Sequence, residues 1–177
     1  MHSIFSTQER IKILKVVIFK NTPISVNSIA GTLKLSKGLV SKYLDVLAKQ
    51  GLVKKESGKY LVVDSALAKG IRVLLNIAQI DVALFKKFAF IEAAGLYGSC
   101  AKGENTEASD VDLWIKVKEV DDHRAASLTA ELHRRIKNVK PFFLTAKKIE
   151  KMKKEDALFY HSLAFGSIIL YGGKDGI

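Results

Sequence analysis

The chain has 177 residues, of which 48% are hydrophobic and 27% charged, a composition that suits one large or two small globular domains. Its apolar runs fall well short of the roughly 18 residues of a membrane span, and the opening MHSIFSTQERIK lacks a signal peptide's apolar stretch, so the expectation is a cytoplasmic protein with no membrane partner. The single cysteine, Cys100, excludes an internal disulfide framework, the four scattered histidines show no zinc spacing, and a net charge of +11 points to a polyanionic partner.

The first element begins at Ser6. STQERIKILKVVIFKN has apolar residues at Ile11, Leu14, Val17 and Ile18, with Glu9 three residues after Ser6 in a capping-box pattern, which predicts an amphipathic helix. NTPIS, residues 21–25, breaks it. VNSIAGTLKL predicts a short second helix with Ile29, Leu33 and Leu35 inward. SKGLVSKYLDVLAKQG predicts a third from Ser36, with Leu39, Val40, Tyr43, Leu44 and Leu47 on one stripe and Gly51 just past its end. LVKKESGKYLVV then reads as two strands around a Ser57-Gly58 turn.

Three helices and a basic hairpin in this order resemble the winged helix-turn-helix domains of prokaryotic transcription regulators over roughly residues 5–64. The run S-x-G-x-V-S-K-Y-L-x-x-L-x-x-x-G-L-V from Ser36 to Val53 carries most of the likeness. The resemblance implies that the third helix enters the major groove of double-stranded DNA and that the hairpin touches the backbone or minor groove. Ser36, Lys37, Ser41 and Lys42 then face DNA, with Lys54, Lys55 and Lys59 on the wing. The bland reading is a solvated lysine face on a domain used for protein contacts. Charge favours DNA: residues 1–90 hold 15 Lys/Arg against 5 Asp/Glu, whereas residues 91–177 hold 14 against 13.

From Asp64 to Phe88, DSALAKGIRVLLNIAQIDVALFKKF contains no proline and spaces Leu67, Ile71, Leu74, Ala78, Val82 and Phe85 by threes and fours. That pattern predicts one long connecting helix, with Asp64 as N-cap and Gly70 as its weak point. The stripe can pack within the chain or against the same helix of a second copy, forming a homodimer; barely three heptads do not choose between them. The organisation expected is a helix-turn-helix domain at 1–64, a connecting helix at 65–88 and a second domain at 89–177.

In that second domain AFIEAAGLYGS reads as a strand ending in a turn at Gly98, and VDLWIKV as a strand starting at Asp110, with a short helix and polar loop between. Gly98 allows close backbone approach to a ligand, and Ser99 offers a hydroxyl beside it. Asp110 and Asp112 alternate by two, so their carboxylates share one face. Such a pair repels itself and calls for a hard divalent cation such as Mg²⁺, shared with the phosphates of a nucleoside triphosphate.

The runs Gly98-Ser99-Cys100-Ala101-Lys102-Gly103 and Ser109-Asp110-Val111-Asp112-Leu113 resemble the G-S-x-A-[RK]-G and S-D-x-D-L signature of minimal nucleotidyltransferases in the DNA polymerase β-like superfamily. The likeness spans about residues 88–173. It implies an α+β chain whose C-terminal part is a mixed sheet flanked by helices. In the resemblance Gly98, Ser99, Lys102, Gly103 and Ser109 belong to nucleotide binding, while Asp110 and Asp112 are the catalytic carboxylates that hold Mg²⁺ during nucleotidyl transfer to a hydroxyl. Active members add a third carboxylate on a later strand. Here that strand is NVKPFFLT, after the helix DDHRAASLTAELHRRIK; it contains no acid, and Lys140 stands near the missing position.

His123, His133 and His161 read as surface or capping residues, and KKIEKMKKED as the solvated face of a helix held by Ile149 and Met152. Cys100 reads as a small packing residue, although a helix start can lower a thiol pKa. The function expected is a DNA-binding regulator whose nucleotidyltransferase-like domain binds Mg-nucleotide with weak or absent transfer. The alternatives are an active nucleotidyltransferase that modifies a protein or RNA hydroxyl, and an antitoxin-like protein-interaction module.

Overall fold

Thr7, not Ser6, caps the first helix in the computed structural model, which describes residues 3–119 and 121–173. Helix α1 (Gln8–Val17) has Arg10 N donating to Thr7 Oγ1 at 3.3 Å, while Ser6 Oγ accepts from the Arg10 guanidinium instead. The capping box expected from Ser6 is thus replaced by a cap one residue later. Ser25 caps α2 (Val26–Leu33) and Ser36 caps α3 (Lys37–Lys49), each accepting from the N–H three residues on. Between them Lys34 adopts a left-handed conformation, φ 53°, which makes the tight turn. Ile13, Leu14, Val17, Ile29, Val40, Tyr43, Leu44 and Leu47 are buried between the three helices, whereas Leu33, Leu35 and Leu39 are only half-buried. Burial pushes the Tyr43 hydroxyl up to about 12, and it donates to Ile4 O at 2.8 Å.

Strands β1 (Val53–Glu56) and β2 (Lys59–Val62) form the expected antiparallel hairpin, and Ile24 bonds to Tyr60 through both backbone groups, adding a third short rung. The wing is therefore tied to the segment that precedes α2.

The single helix expected over 64–88 is two helices, α4 (Ala66–Ala78) and α5 (Ala83–Lys86). Asp81 is the physical reason: its carboxylate accepts from Ala83 N at 3.0 Å, offering the backbone a local partner that competes with helix continuation. The start also differs. Ser65 Oγ accepts from Ala68 N, whereas Asp64 pairs with Arg72 and Lys69. Of the expected stripe, Ile71 and Phe85 are buried, while Leu67, Leu74 and Val82 are 38, 52 and 40% exposed.

The chain divides into two compact units, Met1–Arg72 and Val73–Ile177. In the second unit, β3 (Ile91–Leu96), α6 (Gly98–Lys102), β4 (Val111–Val117), α7 (Asp122–Arg135), β5 (Val139–Leu144), α8 (Ala146–Glu155), α9 (Ala157–Gly166) and β6 (Ile168–Tyr171) follow one another. Among the described residues the strands form a mixed sheet of order β5-β4-β3-β6, with β4 and β5 parallel and the other pairs antiparallel. One face packs Val111, Leu113, Ile115 and Val117 of β4 against Phe85, Leu128, Leu132 and Ile136. The other packs Trp114 and Leu144 against Ile149, Met152 and Leu163 of α8 and α9. Helices thus cover both faces, the α+β arrangement expected.

Ser57 occupies the wing turn at φ 47°, a region costly for a side chain with a Cβ, beside Gly58 at φ 76°. Ser57→Asn should raise the urea midpoint by an equivalent of about 0.5 kcal/mol, and Ser57→Val lower it by about 1 kcal/mol; equal midpoints for all three proteins would show that the turn is unstrained.

Candidate functional site

Three charged side chains meet at one end of the sheet. Asp112 lies on β4, and the parallel register places Lys140 of β5 directly opposite it. Asp110 stands immediately before β4, and Lys140 Nζ lies 2.6 Å from its Oδ2. Lys140 is 66% exposed and Asp110 42%, so water reaches the pair and screens it, and its net worth is small. The lysine therefore neutralises the site without locking it.

Gly98 is held by that same geometry. Its φ is +67°, and a Cβ built there would lie 2.7 Å from Asp112 Oδ2. The motif glycine is needed because a carboxylate occupies the space of its side chain. Tyr97 N donates to Asp112 O at 3.1 Å, so the turn and β4 are hydrogen-bonded at the point where the acid emerges. Helix α6 runs only from Gly98 to Lys102 and ends at Gly103, φ 68°, with Glu104 N returning to Ser99 O at 2.9 Å. Ser99 is half-buried and Lys102 exposed. Ser109 Oγ accepts from Thr106 N at 2.9 Å, so its hydroxyl shapes the loop that delivers Asp110.

One supporting pair is absent from the sequence reading. Asn76 of α4 donates to Cys100 O at 2.9 Å and exchanges side-chain hydrogen bonds with Asn105 at 2.8 and 3.1 Å, both residues being buried. This amide pair fixes α6 and the loop after it. A polar residue inside the apolar run RVLLNIAQI was the available signal, because a buried amide demands partners.

Burial pushes the Asp112 carboxyl above its ordinary range, Asp110 adds to the rise and Lys140 opposes it. Its hydrogen bond to Asp110 raises the Lys140 ammonium further, keeping it protonated at neutral pH. Cys100 is buried, donates to Asp110 O at 3.2 Å and has its thiol pushed up to about 11 by burial and then by Asp112. The lowered thiol pKa that a helix start can give is not found here.

A resident metal cage does not fit, since among the described residues no group of three His, Cys, Asp or Glu could hold an ion. A cation that arrives on phosphates does fit: Mg²⁺ is commonly held by one or two carboxylates with phosphate oxygens completing its shell, and Asp110 and Asp112 supply two, the exposed lysine being cheap to displace.

On the first unit, Lys37, Lys42, Lys54, Lys55 and Lys59 are exposed and Ser41 is half-buried. Lys54 pairs with Glu56 at 2.6 Å, and Lys55 lies over the Tyr60 ring. The Ser36 hydroxyl is engaged as the α3 cap, which places the residue at the helix start but commits its side chain to the backbone.

An acid whose folded pKa is raised carries no penalty below its unfolded pKa and its full penalty above the folded one. Asp112→Asn should therefore melt higher than wild type at pH 7, with the gain shrinking to nothing as the pH falls below the ordinary carboxylate range. A gain that persists in acid would assign the effect to packing rather than charge.

The sequence profile described as "Polymerase beta, Nucleotidyltransferase" matches residues 80–172, more than half of the chain and all of the sheet just described. That described as "Bacterial regulatory protein, arsR family" matches residues 7–55. No curated protein matches the chain. Among solved structures, a Shewanella oneidensis tri-AMPylated HEPN toxin in complex with MNT antitoxin is similar at 15% identity, covering 57% of this chain and 73% of that one, with a TM-score of 0.37. A protein named as a candidate nucleotidyltransferase from Sulfolobus solfataricus is similar at 20% identity over 65% of this chain and 94% of that one, with a TM-score of 0.40. With G-S-x-A-K-G and S-D-x-D-L at the end of a mixed sheet, and a profile match over more than half its length, the chain belongs to the polymerase beta nucleotidyltransferase family and carries an arsR-type helix-turn-helix at its N-terminal end.

Proposed function

We propose that this chain is a DNA-binding regulator whose C-terminal domain binds a magnesium-bound nucleoside triphosphate and transfers nucleotidyl groups slowly or not at all. The observation that carries the second half is Lys140, register partner of Asp112 and bonded to Asp110, on the strand where active relatives bear a third carboxylate. A base that deprotonates an acceptor hydroxyl must accept a proton. Lys140 is held protonated by Asp110 and has none of that capacity.

Binding is better served than chemistry. Gly98 lets the turn close against the Asp112 carboxylate, Ser99 and Lys102 supply a hydroxyl and a cation, and Asp110 with Asp112 would hold the ion. The Mg²⁺, when bound, neutralises carboxylate and phosphate charge together. Lys140, displaced from Asp110, is long enough to contact phosphate in its turn. On the first unit Lys37 and Lys42 on α3, with Lys54, Lys55 and Lys59 on the wing, neutralise DNA phosphates in the cytoplasm.

Thermal shift with each of the four ribonucleoside triphosphates should reveal a Mg²⁺-dependent stabilisation that Asp110→Asn abolishes while leaving DNA affinity intact. Lys140→Asp should raise transfer above the wild-type level. Rapid, magnesium-dependent labelling of a protein or RNA acceptor by the wild type would replace this reading with that of an active transferase.

For the DNA half, changing Lys37 and Lys42 together to Ala in the full chain should reduce the slope of log affinity against log salt by about 2, since each phosphate left without its lysine lowers the slope by roughly 0.9. An unchanged slope and affinity would remove α3 from the DNA interface.

A further inference from the structure

Three aromatic rings run on from the acidic site. Tyr97 stands immediately before Gly98, and its N–H is bonded to Asp112 O. Its ring centroid lies 6.5 Å from that of Phe142, which in turn meets Phe159 of α9 edge-on at 5.8 Å. The strand register makes this run continuous with the charges. Lys140 is paired with Asp112 and Phe142 with Trp114, so Phe142 follows Lys140 on the same face of β5. Tyr97 and Phe142 pack on the cluster around Trp114 yet are only half-buried, and Phe159 is 36% exposed. Leu163 and Tyr160 anchor α9 on that cluster, which leaves Phe159 at its margin. Aromatic surface therefore stays open to water beside the carboxylates, where another flat group can cover it.

We propose that these rings are the base-stacking platform for the nucleotide, with Phe159 as the residue that favours a purine. This rests on the reading of Asp110 and Asp112 as the end of the site that holds magnesium and phosphates. A nucleoside triphosphate is charged at one end and aromatic at the other, with a ribose between. The chain offers the same order. Lys140 and Phe142, successive residues on one face of a strand, stand about 7 Å apart, which leaves room for the sugar. Lys148 covers one side of Phe142, its Nζ 4.0 Å from the ring centroid and donating to Phe143 O at 3.0 Å, so Tyr97 and Phe159 are left to the base. Stacking depends on area rather than on matched donors and acceptors. The larger purines therefore gain more than pyrimidines, and adenine and guanine are received alike.

Titration calorimetry of the full chain with the magnesium complexes of ATP, GTP, UTP and inorganic tripolyphosphate separates base from phosphates. The wild type should bind ATP and GTP about tenfold or more tightly than tripolyphosphate, with UTP between them. Phe159→Ala should lower ATP affinity by about tenfold and leave that for tripolyphosphate unchanged, whereas Phe159→Tyr should keep both. Should Phe159→Ala misfold, Phe159→Trp decides alone. The single tryptophan of the chain, Trp114, is buried, and the added indole should be quenched by MgATP but not by magnesium tripolyphosphate. Equal wild-type affinities for ATP and tripolyphosphate, an equal loss of both in Phe159→Ala, or an unquenched indole would overturn the platform while leaving the magnesium-phosphate reading in place. A wild type that binds none of the four would refute that reading, and the platform with it.

Discussion

Alternation along β4 is the constraint on which the second unit depends. Val111, Leu113, Ile115 and Val117 point to one face and Asp112, Trp114 and Lys116 to the other, because successive side chains of a strand project oppositely. The first set makes the core under α7, and Trp114 anchors the core under α8 and α9. Asp112 shares Trp114's face but is only half-buried, near the start of the strand. One period-two pattern thereby builds two cores and presents a carboxylate. A one-residue slip in register would exchange all of these roles together.

The site is costly to hold. Burial and a neighbouring carboxylate disfavour the charge on Asp112, and Gly98 must be a glycine because that carboxylate fills its side-chain space. Such arrangements persist where a ligand offsets them. Lys140 offsets part of the repulsion within the protein itself. A lysine at this place bears on what the site can do more than on how it is built, since β4 and β5 pair through backbone groups that are indifferent to the side chain.

Charge also sorts the surfaces. The lysines of α3 and the wing stand out on the first unit, where solvent supports them and a polyanion can replace it. The last helix and strand do the reverse, with no charge and their largest apolar side chains in water. A strongly basic chain that keeps one strip neutral separates the surface suited to phosphates from the surface suited to apolar contact.

By itself the sequence determined the elements whose signals are local. Serine caps set the starts of α2 and α3 and Gly51 the end of α3, Ser57-Gly58 set the wing turn, and G-S-x-A-K-G with S-D-x-D-L set the nucleotidyltransferase fold and its acids, because each acts within a few residues of backbone. Only tertiary structure decided the rest. The connecting helix breaks because Asp81 reaches Ala83 N, a competition that apolar spacing does not record. Asn76 and Asn105 find each other across 29 residues, and Cys100 becomes a high-pKa buried thiol although it follows a helix start. That Lys140 neutralises Asp110 depends on a parallel register set by a crossover through α7. The outward turn of Leu158 and Phe165 was equally hidden, because large apolar residues stand on both the inner and the outer side of this helix and leave no period from which to read its inner face.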